Sequence, residues 1–307
     1  PVNNYYHQLS NSDYKDIYTS DDVPPGEQFI NRAYADNDLE ELEQFGHERY
    51  TAMISWINQR IYKQETSIHW KLFVFLHNLV PTRCFELGHK AAFLYIKLLF
   101  ESCFNSYKDF IYDVTLDPSM LDFLNLALSQ KDTPDENYAR EVQELFTVGK
   151  RPFAKFTEKD VREIARALVG WTYDYEKLVF SEGTESHVFF EDYNHDTGDK
   201  EFSSFYDNQT IRGKSGDDGQ QELQEVVDML FNTEESGIYL CRRLYQFFVY
   251  PVLTPEIESQ IIAPLAKVFK DNDHSLIAVL RELLGSEHFF DAAIPNSIIK
   301  SPIEYNM

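Results

Sequence analysis

Residues 136–149 read ENYAREVQELFTVG, and after a short link residues 157–171 read TEKDVREIARALVGW. Both have the period of an α-helix. In the second, Val161, Ile164, Ala165 and Leu168 recur at spacings of three and four and share one face. Thr157-Glu158-Lys159-Asp160 supplies its N-terminal cap, and Gly170 is its expected stop. In the first, Tyr138, Val142 and Leu145 form the apolar face and Gly149 the end. Upstream, Thr133-Pro134-Asp135-Glu136 has the Thr-x-x-Glu form with Pro at the first helical position, so Thr133 is the expected cap.

Working outward, Asp117-Pro118 repeats the cap-then-proline signal and opens SMLDFLNLAL. Helical periodicity begins near Leu39 and returns in apolar segments around residues 70–80, 90–104 and 107–116. It resumes over 221–231, 236–250, 255–270 and 275–285. Between the two halves, residues 172–220 mix aromatic and β-branched stretches with Gly, Asp and Asn. There LVF (178–180) and HVFF (187–190) suggest a short hairpin. We therefore expect a mainly α fold: one large multi-helical domain over residues 46–307, with a loop-rich or small β-hairpin insertion around 172–220. A polar, turn-rich arm over residues 1–45 precedes it. Strand–helix alternation is missing, which argues against a Rossmann fold or a TIM barrel.

The chain has 307 residues, 28 Lys+Arg against 51 Asp+Glu, and a formal net charge of −23. Such a charge opposes phosphate backbones and anionic lipid, so no nucleic-acid partner is expected. No apolar run approaches the roughly 20 residues of a membrane span. Cys84, Cys103 and Cys241 contain no CxxC; three reduced, buried thiols are the expectation, with one disulfide and a spare thiol as the alternative. The first residue is Pro and the last segment is KSPIEYNM, without a terminal helix, so a longer parent protein is expected.

Nucleotide-loop, lipase and zincin signatures are absent. What remains is a set of polar positions. On the 137–146 helix, Asn137, Glu141 and Glu144 fall on one face with Arg140 alongside; two carboxylates one turn apart can bind a cation or transfer protons, or can simply face solvent. Arg162 and Arg166 sit one turn apart on the next helix, able to grip a carboxylate or phosphate, or to pair with acidic neighbours. His77-Asn78 ends an apolar helix. In EDYNHDTGD, Asp192, Asn194 and Asp196 alternate as in a calcium loop. The glycine comes one place late and the twelfth-position Glu is missing, so an Asx-type turn is favoured over a divalent cation.

Taken in order, these blocks resemble the bacterial family catalogued as domain of unknown function 1800. The resemblance rests on His77-Asn78; residues 116–121; Glu136-Asn137-Tyr138-Ala139-Arg140-Glu141 with residues 144–149; residues 157–171; residues 195–200; and the helix over 242–249. It covers roughly residues 65–305. It implies an exported or surface bacterial protein with no established reaction, and family members run on past a segment like residues 300–304.

Two functions follow as expectations. One is a polar pocket built from His77, Asn78, Asn137, Arg140, Glu141, Glu144, Arg166, His195 and Asp196, with hydrolase-type acid/base chemistry carried by Glu141, Glu144, His195 and Asp196. The other is a non-catalytic scaffold or binding module, with a protein or carbohydrate partner outside the cytoplasm, whose polar residues hold helices and loop together. In both, the 195–196 loop is expected to fold onto the 137–144 helix. Arg140 would hold Asp196, and His195 would meet Glu141 or Glu144.

Overall fold

The computed structural model describes residues 39–62, 67–83, 85–152, 154–291 and 298. Most of the arm (residues 1–38), Cys84 and residues 300–304 lie outside them. Among the described residues five helices come first: α1 (Leu39–Tyr62), α2 (His69–Leu79), α3 (His89–Ser102), α4 (Tyr107–Thr115) and α5 (Pro118–Phe123). α6 runs over Asn137–Glu141 and widens into a π-helical turn, Val142–Thr147; α7 is Glu158–Leu168. The insertion holds β1 (Trp171–Tyr173), α8 (Tyr175–Phe180), β2 (Val188–Phe190), β3 (Lys200–Glu201) and β4 (Thr210–Ile211). α9 (Gln221–Asn232) and α10 (Glu234–Phe248) follow. α11 is assembled from Pro255–Ile257, a π-helical turn Glu258–Ile262 and Ala263–Asp271, and α12 is Leu276–Gly285. The mainly helical class is as expected, and among the described residues strand is confined to two small antiparallel pairs, β1 with β2 and β3 with β4.

Local chemistry explains the boundaries. Asp117 accepts hydrogen bonds from the amides of Ser119 (2.9 Å) and Met120 (3.2 Å), with Pro118 following in its pre-set φ. Thr157 and Asp160 form a reciprocal capping box at α7. Thr133 does not cap α6. Its amide donates to the Gln130 carbonyl in a tight turn, and the Asp135 carboxylate accepts from the Asn137 amide at 2.8 Å instead. An aspartate two residues from the helix start reaches its first amide more directly than a threonine four residues away. The hairpin also differs. Asp174 caps a helix by accepting from the Lys177 amide (3.0 Å), so residues 178–180 close α8, and Trp171–Tyr173 takes their place opposite Val188–Phe190.

One contiguous apolar core joins the two halves. It includes Trp70, Phe75, Tyr95, Phe110, Val161, Trp171, Leu230 and Leu280. Trp171 is buried, 7% exposed. Gly170 stops α7 at φ +113°, where a Cβ would lie 2.7 Å from the Phe190 ring; only glycine allows both the turn and the approach of β2. The end of α6 is held by tyrosines. Tyr239 donates to the Leu145 carbonyl (2.6 Å) and Tyr107 to the Phe146 carbonyl (2.8 Å), filling acceptors that a helix end leaves open. Cys103 and Cys241 are free and buried, and burial pushes both thiols well above their ordinary range.

Candidate functional site

α7 presents Asp160, Glu163 and Arg166 at intervals of three, a polar stripe turned toward the insertion. Each of the three binds the insertion. Asp160, fully buried, accepts from the Ser203 amide and hydroxyl, both at 2.7 Å. Arg166 grips Asp196 with two parallel bonds, Nε to Oδ2 at 2.7 Å and Nη2 to Oδ1 at 3.1 Å. Its remaining nitrogen reaches Glu163 (2.6 Å) and the Asp199 carbonyl (3.2 Å). Glu163 in turn accepts from the Glu201 amide.

His195 points the other way, into the interior. Its Nδ1 donates to the Val169 carbonyl at 2.7 Å and its Nε2 meets Glu222 Oε1 at 3.1 Å. Both partners are hydrogen-bond acceptors. Glu222 also accepts from the Lys214 amide (2.8 Å), and its second oxygen is 2.6 Å from Lys200 Nζ. The side chains of His195, Lys200 and Glu222 are fully covered. Lys200 completes the loop by donating to the Asp196 carbonyl. Gly213 closes the loop from outside: a Cβ there would lie 2.0 Å from the Thr197 carbonyl oxygen.

The electrostatics follow this wiring. Burial is the largest influence on Glu222 and would raise its pKa. The hydrogen bonds from His195 and Lys200 overcome it and hold the carboxyl below the usual range. Asp196 behaves alike, burial being outweighed by Arg166 and the Gly198 amide.

The expected fold-back onto the 137–144 helix is not what forms. Arg140 is engaged by Glu136 (3.1 Å) and Glu158 (2.7 Å), acids closer along the chain. Asp196 takes Arg166 as its partner, and His195 takes Glu222. Glu144 pairs with Lys150 at 3.4 Å. Glu141 is half-buried; one carboxylate oxygen has no hydrogen-bond partner among the described residues, and burial and the nearby Glu144 raise its pKa. Asn137 is exposed. At the end of α2, burial lowers the His77 pKa and the ring stands 5.9 Å from that of Tyr95, while Asn78 is exposed.

The nine residues thus fall into three groups. None lines the cleft of about 320 Å³ between α10 and α11, nor the one of about 330 Å³ beside α1 that includes His47, Tyr50, Phe85 and Tyr175. In the weak cation loop, Asn194 spends its amide on residues 129–131: Nδ2 donates to the Ser129 carbonyl (3.0 Å) and Oδ1 accepts from the Lys131 amide (3.3 Å). Asp192 is exposed and Asp196 is held by Arg166. Among the described residues, no three His, Cys, Asp or Glu side chains are grouped to hold a metal ion. No described helix is long and apolar enough to cross a membrane.

Glu163 and Glu222 were not singled out in the sequence, and Asp160 and Lys200 stood out only as part of a helix cap and of a family block, not as members of the site. The signals were present. Asp160, Glu163 and Arg166 share a three-residue spacing, and Glu222 is an acid on the apolar stripe of Leu223, Val226 and Leu230.

Fold and site together define a mainly helical domain whose inserted loop is bound internally by a charged network. The family model described as protein of unknown function (DUF1800) matches residues 4–307, and the chain belongs to that family. The match extends through the polar arm. No curated protein and no solved structure matches the chain.

Proposed function

We propose that this protein is a non-catalytic helical scaffold or binding module, working outside the cytoplasm on a protein or carbohydrate partner. The observation that supports it is the burial of the His195–Glu222–Lys200 cluster, with every charged group opposed by another. A general acid or base must reach a substrate proton, whereas groups consumed by structure cannot. The export part of the reading rests on family resemblance. The test is the unfolding of His195→Asn, Asp196→Asn and Arg166→Met. Each should lower the denaturant midpoint, and variants that unfold like the wild type would remove the scaffold reading.

Acid/base chemistry keeps one specific observation in its favour, at Glu141. A carboxyl raised by burial, with an open oxygen and a second carboxylate nearby, has the character of a proton donor. Glu141→Gln should then abolish any hydrolysis found in a substrate screen while leaving the fold intact.

A further inference from the structure

The cleft beside α1 is walled by aromatic rings that meet water. Phe85 is 57% exposed and Tyr175, the first residue of α8, is 44% exposed, and both line it. Tyr50, half-buried, closes the α1 side, its ring 5.7 Å from that of Phe85 and tilted by 44°. Gly46 lies one turn before Tyr50 on the same face of α1 and leaves room beside the ring. At Gly88, before α3, a Cβ would meet nothing within 4 Å, so a guest can approach the backbone there. Large aromatic side chains left in water around one concavity mark a surface that a ligand covers.

Polar groups stand between the rings. His47 is exposed on α1, and Glu86 is exposed on the rim with Oε1 held by Arg83 at 2.9 Å, which leaves Oε2 to accept from a guest. The Tyr175 hydroxyl can both donate and accept. Charge narrows the choice of guest. Arg49 and Lys90, both buried, adjoin the lining residues along the chain and oppose a cation. The Glu86 carboxylate and the net charge of −23 oppose an anion. A neutral guest with an apolar face and a polar edge satisfies both the rings and the groups between them.

We propose that this cleft binds a neutral sugar, a pyranose of gluco configuration within a glycan. Such a ring carries its hydroxyls at the edge and axial C–H groups on its faces. A C–H face would lie against Phe85 and Tyr175, with the hydroxyls toward Glu86, His47 and the backbone at Gly88. A volume of about 330 Å³ suits a mono- or disaccharide unit. The inference rests on the binding-module reading, whose carbohydrate partner it places. The two fail separately, since no residue of the charged network lines the cleft.

The test is saturation-transfer NMR of the full chain with cellobiose, with sorbitol as a polyol that has no ring face, and with choline and glucuronate as charged guests. Cellobiose should receive saturation, strongest at its axial ring protons, and bind about tenfold more tightly than sorbitol, the ratio that one aromatic contact supplies. Phe85→Ala/Tyr175→Ala alters only exposed side chains; it should unfold at the wild-type midpoint and lose about that factor in affinity. No transfer to cellobiose, equal transfer to sorbitol, tighter binding of choline or glucuronate, or an affinity unchanged in the double variant would each overturn the proposal, whatever the unfolding of His195→Asn shows.

Discussion

Glu222 Oε2 lies 2.6 Å from Lys200 Nζ, and neither side chain exposes any surface. The pair bridges α9 and β3, and through His195 it extends to the end of α7. A buried ion pair adds little net stability compared with an apolar pair of the same shape, but breaking it strands a charge.

Glu222→Ala should therefore destabilise the fold by about 3–5 kcal/mol, since Lys200 and His195 lose their common partner. Lys200→Met/Glu222→Leu should recover much of that loss. Urea unfolding of both variants measures it; a double variant as unstable as Glu222→Ala would show that the charges are not the source.

At Asp117, burial raises the carboxyl to about 7 against the two amide bonds that lower it. The folded state thus holds this proton more tightly than the unfolded chain. The resulting stabilisation is full below the unfolded value near ~4 and is lost as pH rises through about 7. Asp117→Asn keeps the cap and should flatten stability across that window. Parallel pH curves for the two proteins would refute it.

Asp196 and Glu222 act with the opposite sign. Their folded carboxyls lie below the ordinary range, so their contribution is present above about pH 4 and lost as pH falls through the folded values. Asp196→Asn should lose stability at pH 7 and show a shallower acid transition than the wild type in a circular dichroism titration.

Caps give a paired comparison. Thr157→Ala removes one side of the capping box and should cost about 1 kcal/mol, whereas Thr133→Ala should change stability by less than about 0.5 kcal/mol. Equal shifts in the denaturant midpoint would contradict the assignment of Asp135 as the group that opens α6.

Much of the fold was legible because its signals are local. Thr157, Asp117-Pro118 and the apolar spacing of Val161, Ile164 and Leu168 lie within a few residues of what they determine. Residues 178–180 misled because three apolar residues suit a strand or a short buried helix equally, and the deciding contact is the Asp174 cap. The site was legible only in half. His195 and Asp196 stood out as polar positions needing partners, but His195 meets Glu222 across 27 residues and Asp196 meets Arg166 across 30. No spacing rule reaches that far. The closer appeal of Arg140 was cancelled by Glu136 and Glu158, which neutralise it before any loop arrives.

The two tyrosines that close the end of α6 come from opposite directions along the chain, Tyr107 from 39 residues before Phe146 and Tyr239 from 94 residues after Leu145. A growing or refolding polypeptide cannot complete that helix end until α10 has been delivered. Closing so long a loop is slow, and its reward comes only when the partner docks. The order of events is thereby constrained: the first half of the domain can close the Phe146 carbonyl by itself but waits, with the Leu145 carbonyl open, for the second half to arrive.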